Sequence, residues 1–266
     1  MKAFEFVPKY TEKCRVTAWI QSENNHVNAP RPAIIICPGG GYTDVSEREA
    51  EPVAEPYFAA GYNVFILYYS VGEAAKNLVP LRQLGATIAE IRKNADVWHI
   101  DRDKIAVCGF SAGGHLACSL GVFHNKLDFQ NVLGEKVNVR PNAMILGYPV
   151  ITADSYAHVG SIERVSGASA GSAGYLWFGL DNHVDGETPP AFIWHTAEDR
   201  TVPVENSLRL AAMLSAAKVP FELHVFPYGC HGMSVCTSQV GSECTYNGRW
   251  VEMSLIWLNK MFQSGL

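Results

Sequence analysis

The stretch Ile105-Ala106-Val107-Cys108-Gly109-Phe110-Ser111-Ala112-Gly113-Gly114-His115-Leu116-Ala117-Cys118 decides how this chain is read. Ile105 and Val107 place a β-branched residue at every second position of an apolar run, which predicts a buried strand. Gly114 to Leu120 predicts the start of a helix. Between them stands G-x-S-x-G, with Ser111 at the apex. Glycines allow a sharp strand-to-helix turn that lifts the serine Oγ above a sheet, the arrangement called a nucleophile elbow. A glycine-rich turn that merely contains serine has the same local pattern. The flanking strand and helix favour the elbow.

Working outward, Ala33–Cys37 is an unbroken apolar run, as expected of a strand buried on both faces of a parallel sheet. Further strands are predicted at Asn63–Tyr69, Asn142–Tyr148, Ala191–His195 and Phe221–Phe226. Helical segments are predicted between them. The first runs over about 47–60, closed by Gly61 and kinked or delayed by Pro52 and Pro56. Others run over about 80–98, 204–217 and 249–262. Cys14–Ile20 predicts an antiparallel edge strand, followed by a polar loop over 21–31. Residues 150 to 188 break the rhythm and predict a cap-like insertion with short helices after the strand ending near Tyr148. The alternation predicts an α/β fold: a mostly parallel sheet covered by helices on both faces, in a single domain over 1–266. Sites in such sheets lie at the carboxyl ends of the strands.

The 266 residues are 48% hydrophobic and 18% charged, which suits one large α/β core. A net charge of -5 and the lack of any basic run argue against nucleic acid or an anionic membrane as partner. Met1–Lys9 has no apolar core or small-residue cleavage site, so no signal peptide is predicted and a cytoplasmic location is expected. No apolar stretch has the length of a bilayer span. The seven cysteines match no zinc spacing, so no metal is expected. Cys37, Cys108 and Cys118 are expected as small buried hydrophobes. Cys230, Cys236 and Cys244 leave a disulfide or redox role open.

Three groups stand just past predicted strands: Ser111, Asp199 and His231. Their order is that of an α/β-hydrolase triad. A serine hydroxyl needs a base to take its proton. Histidine titrates near neutrality and can return that proton to a leaving group. A carboxylate fixes the imidazole tautomer. Glu198 is a rival to Asp199, and His115, His195 and His224 are rivals to His231, although those three lie within predicted elements. Gly39-Gly40-Gly41 lets backbone N–H groups converge as an oxyanion hole requires, and the N–H of Ala112 would supply another donor. A phosphate loop is the other reading of the glycines, but no Lys-Ser or Lys-Thr follows them.

Pro38-Gly39-Gly40-Gly41-Tyr42, Gly109 to Gly114, Asp199-Arg200-Thr201-Val202-Pro203 and Cys230-His231-Gly232 together resemble the α/β-hydrolase esterases of the acetyl esterase and xylan-esterase type. The resemblance runs from about Ala33 to Phe262. It implies Ser111 as nucleophile, Asp199 as acid and His231 as base, with Gly40, Gly41 and Ala112 donating to the oxyanion. It also implies hydrolysis of short acyl esters, acetyl esters of carbohydrates above all, with no cofactor and a small-molecule or oligosaccharide ester as partner. Pro38 departs from the histidine that many relatives carry before the three glycines. Tyr42, Tyr175, Trp177 and Phe178 are candidate substrate contacts, with packing of a small cap as the alternative. A feruloyl esterase, an arylformamidase, a serine peptidase of similar architecture and a catalytically silent binding protein are the competing functions. The sequence carries no signal for an oligomeric state.

Overall fold

Alternation along the strands sorts the apolar residues onto two faces of one sheet. The computed structural model describes residues 1–22, 29–129 and 138–264, so part of the loop predicted over 21–31 lies outside the described residues. Eight strands are described: β1 (Lys2–Phe6), β2 (Arg15–Ile20), β3 (Arg31–Cys37), β4 (Asn63–Tyr68), β5 (Ile100–Phe110), β6 (Ala143–Gly147), β7 (Ala191–Thr196) and β8 (Phe221–Phe226). Their order is β1-β2-β4-β3-β5-β6-β7-β8. β1 pairs with β2 and β2 with β4 antiparallel; the pairings from β4 through β3 to β8 are parallel.

Because successive side chains point to opposite faces, Ile35, Val107, Leu146 and Ile193 share one core. The helices α2 (Val79–Lys93), α3 (Ala112–Phe123) and α6 (Glu205–Ala216) cover it with Leu84, Ile88, Leu116 and Leu210. Ile34, Cys108, Ile145 and Trp194 face the other way, under α1 (Glu51–Ala59) and the last helix α7 (Trp250–Ser264), which contribute Val53, Tyr57, Trp250 and Trp257. The structure is therefore the α/β fold expected, with a mostly parallel sheet covered on both faces.

Several boundaries differ from expectation. β2 is antiparallel but is not the edge, because β1 flanks it. Phe4 and Phe6 of β1 pack on Trp98 at 5.6 Å between ring centroids. α1 begins at Glu51 rather than 47, after a 3-10 turn over Glu47–Glu49, with Pro52 in its first turn, where a missing N–H costs nothing. α2 stops at Lys93 rather than Trp98; the chain then turns, and His99 takes a positive φ of 56° before β5 begins. β5 is longer than the apolar run suggested and contains Asp101.

The insertion after β6 holds α4 (Val159–Ser166), α5 (Ala173–Leu176) and a 3-10 turn at Leu180–His183. Its base is closed by Leu180 N–H donating to the Ile151 carbonyl at 2.8 Å. The side chain of Asn206 on α6 accepts from the N–H groups of Ile151 and Thr152 at 2.9 and 3.0 Å. These bonds fix the insertion's first residues to the sheet layer.

Candidate active site

Three parallel strands deliver the predicted residues to the carboxyl end of the sheet. Ser111 follows β5, Asp199 follows β7 and His231 follows β8. The turn at Ser111 is as sharp as the glycines allow. Gly113 has no room for a side chain: a Cβ there would lie 2.0 Å from the Cys37 carbonyl oxygen. A Cβ on Gly109 would lie 2.1 Å from the Gly113 carbonyl oxygen. Helix α3 can therefore start directly against the end of β3. Ser111 itself takes φ 52° and ψ -119°, a sparsely populated conformation for a residue with a Cβ, of the kind that costs about 1–3 kcal/mol.

His231 joins the other two. Its Nδ1 lies 2.6 Å from Asp199 Oδ2 and its Nε2 2.9 Å from Ser111 Oγ. A carboxylate only accepts, so Nδ1 carries the proton and Nε2 offers its lone pair to the serine hydroxyl. Asp199 is fully occupied: Oδ1 accepts from the N–H groups of Thr201 and Val202, each at 2.9 Å. Burial alone would raise the Asp199 carboxyl, but hydrogen bonds from His195 and His231, the His231 charge and the Val202 N–H hold it well below the usual carboxylate range. The rivals have other partners. His195 is buried between Ser207 Oγ and the Val202 carbonyl. His115 is buried among Tyr42, Ser119 and the Phe178 carbonyl, and burial pushes its imidazole down to about 4. His224 pairs with Glu222.

The glycine loop after β3 lies across the cleft from His231. Gly40 and Gly41 take φ of 124° and 63°. The Gly40 carbonyl accepts from Thr43 N–H at 2.9 Å, and the Gly39 carbonyl from Ser46 N–H at 3.0 Å. Gly39 N–H is taken by Glu49 Oε2 at 2.7 Å. Among the described residues, no hydrogen bond uses the N–H groups of Gly40, Gly41 or Ala112. At Pro38, the backbone carbonyl accepts from Tyr69 OH at 2.6 Å.

The cleft over Ser111 has a volume of about 570 Å³ and is walled by Asp44, Ser46, Glu47, Arg48, His158 and Thr201, together with Gly40, Gly41 and His231. Among the described residues, no Phe, Tyr or Trp lines it. The four aromatic candidates do not line this cleft. Tyr42 is buried with its hydroxyl on His115 Nδ1 at 3.0 Å. Tyr175 is buried under the insertion, and Phe178 stacks on His115. Trp177 stacks on Phe123 with centroids 4.5 Å apart and planes 7° apart. Apolar rings in a short insertion with little core of its own pack down onto α3.

Sequence reasoning missed four residues around the cleft. His158, just before α4, lines it with Nδ1 2.7 Å from Ser161 Oγ. Burial, with the charges of His231 and Arg164, pushes its imidazole down. Arg48 lies in the segment read only as a helix start. Glu49, in that same segment, is buried and receives Tyr148 OH at 2.5 Å. Tyr148 holds φ 35° at the end of β6. The seven cysteines are all unpaired; Cys37, Cys108 and Cys118 are buried, and Cys230 is exposed. Burial pushes the Cys236 thiol up to about 12. Among the described residues, no group of three His, Cys, Asp or Glu side chains is arranged to hold a metal ion.

The BD-FAE family model matches residues 20–172. Endo-1,4-beta-xylanase B of Butyrivibrio fibrisolvens is 37% identical over 212 residues, covering 79% of this chain and 33% of that protein. An acetylxylan esterase of Xylanibacter ruminicola is 29% identical over 219 residues, covering 77% of this chain and 42% of that protein. This chain thus spans less than half the length of either relative. The crystal structure of an acetyl ester-xyloside bifunctional hydrolase from Caldicellulosiruptor lactoaceticus superposes with a TM-score of 0.84 at 35% identity, over 94% of this chain and 88% of that one.

Proposed function

Because the chain belongs to the BD-FAE family, among the α/β-hydrolase esterases, we propose that it is a serine carboxylesterase that hydrolyses acetyl esters of carbohydrates. The observation that carries this reading is the unbroken chain from Asp199 through His231 to Ser111, opening into a cleft with polar walls. Ser111 Oγ attacks the ester carbonyl while His231 Nε2 takes its proton. The resulting oxyanion lies against the free N–H groups of Gly40, Gly41 and Ala112, a stabilisation of about 3 kcal/mol per donor. His231 then returns the proton to the departing alkoxide, leaving Ser111 acylated. A water that loses its proton to His231 hydrolyses the acyl-enzyme, and the proton goes back to Ser111 Oγ.

The cleft favours a sugar over an aryl group on the alcohol or acyl side. Asp44, Glu47, Arg48 and Thr201 offer donors and acceptors to hydroxyls. A feruloyl or kynurenine ring would meet no Phe, Tyr or Trp there among the described residues. The names of the relatives point the same way, toward xylan and its acetyl groups. Acetylated xylo-oligosaccharides, methyl ferulate and N-formylkynurenine should be assayed side by side. The acetyl substrate is expected to have a kcat/KM at least about tenfold above the others, the factor that 1.4 kcal/mol represents. A preference for either aromatic substrate would overturn the carbohydrate reading. Ester turnover that persists in Ser111→Ala would overturn the serine mechanism.

A further inference from the structure

Glu49 is a buried carboxylate at the wall of the cleft, and neither the acid-base chain nor the oxyanion donors account for it. It is 4% exposed. Its two oxygens reach in different directions. Oε2 accepts from the N–H of Gly39, the residue before the two proposed oxyanion glycines, at 2.7 Å. Oε1 accepts from Tyr148 OH at 2.5 Å. That hydroxyl oxygen in turn accepts from the N–H of Ser234 at 3.0 Å, three residues past His231. The ring of Tyr148 stands edge-on to the His231 imidazole with centroids 4.9 Å apart. One carboxylate thus ties the glycine loop after β3 to the loop that carries the histidine.

We infer that Glu49, acting with Tyr148, is a positioning residue that sets both the oxyanion loop and the charge facing His231. The inference rests on the proposed roles of Ser111, His231 and Asp199. Two features support it beyond the contacts. Tyr148 is held at φ 35°, a conformation an aromatic residue keeps only where its surroundings demand it. A carboxylate inside the protein is retained only with partners. Burial pushes the Glu49 carboxyl up, while Tyr148, the Gly39 N–H and the charges of His231 and Arg48 oppose that rise. The interaction with His231 is reciprocal: a negative Glu49 favours the imidazolium that forms when Ser111 attacks. The other charged or titratable groups around the ring are Asp199 on its Nδ1 side, His158 from the insertion, and Asp44, Glu47 and Arg48 in the same cleft, with His195 behind Asp199.

The test compares wild type with Glu49→Gln and Tyr148→Phe by two readouts. The first is the NMR titration of the His231 ring, identified by its absence in His231→Asn. The second is the pH profile of kcat/KM on a soluble acetyl ester. Glu49→Gln is expected to move both the ring's titration midpoint and the acidic limb to lower pH. It is also expected to lower kcat about tenfold or more, with KM changed less than about threefold. Tyr148→Phe keeps the carboxylate and removes the donor that helps keep it ionised, so it moves both readouts in the same direction by less. It also carries the test should Glu49→Gln fail to fold. Unchanged titration and unchanged kcat in either folded variant would overturn the inference. A wild type that turns over no ester while Glu49→Gln still shifts the His231 titration would overturn the esterase reading and leave this inference standing.

Discussion

His195 stands directly behind Asp199, its Nε2 3.4 Å from the carboxylate oxygen that receives His231 Nδ1, with both side chains fully buried. The same Nε2 is 2.9 Å from the Val202 carbonyl, so it carries the proton, and Nδ1 is left to accept from Ser207 Oγ at 2.8 Å. A second imidazole thus holds the carboxylate from the side away from the substrate. Replacing it, as in His195→Phe, is expected to lower kcat by about 10- to 100-fold with little change in KM, because Asp199 loses a partner that fixes its orientation. Steady-state kinetics on a soluble acetyl ester check this, and an unchanged kcat would contradict it.

Acid stability should carry the mark of Asp199. Its folded-state pKa lies below the unfolded value. The stability it contributes is therefore in place above about pH 4 and is lost as pH falls further, because only the unfolded chain then gains protons readily. Urea unfolding at a series of pH values between about 6 and 3 should show a smaller loss in Asp199→Asn than in wild type.

The strained elbow predicts a trade between activity and stability. Glycine adopts the φ of 52° and ψ of -119° found at Ser111 without a Cβ penalty. Ser111→Gly is expected to abolish ester turnover yet unfold about 2–4 °C higher, the shift given by roughly 1 kcal/mol in a chain of this size. A thermal melt that falls instead would mean that the conformation at 111 stores no strain.

Gly113 predicts the opposite. A Cβ there meets two backbone oxygens, those of Cys37 and Pro38, at 2.0 and 2.3 Å. Neither can move without breaking the β3–α3 contact. Gly113→Ala is expected to destabilise the fold by about 3 kcal/mol, measured by denaturant unfolding.

The insertion can be probed through Trp177. Because its ring stacks on Phe123 and does not line the cleft, Trp177→Ala should cost about 2 kcal/mol of stability. KM for an acetyl sugar should stay within about twofold. A large rise in KM with unchanged stability would put the ring in a substrate subsite after all.

Much of this arrangement is legible in the sequence because it is local. Ile34, Ile35 and Ile36 announce a strand buried on both faces, Ser111 and Asp199 each follow such a run closely, and His231 follows the more exposed outer strand β8. The parallel sheet then brings them together. What the sequence does not announce depends on partners distant along the chain. Glu49 sits in Glu47-Arg48-Glu49, which reads as a solvated helix start, and its burial comes from Tyr148, 99 residues away. Trp177 and Phe178 read either as a substrate contact or as cap packing because composition does not say which way a ring turns; in the structure they pack on Phe123 and His115. The strand β1 carries little periodic signal although Phe4 and Phe6 alternate, since it is only five residues long.

The proposed base lies 120 residues beyond the serine it serves and follows β8, the outermost of the parallel strands. A growing chain therefore has its elbow residues long before it owns a base. Ester turnover is for this reason a gauge of whole-sheet assembly. During refolding, recovery of activity should trail any optical signal from the tryptophans Trp98 and Trp19, which lie at the opposite end of the sheet.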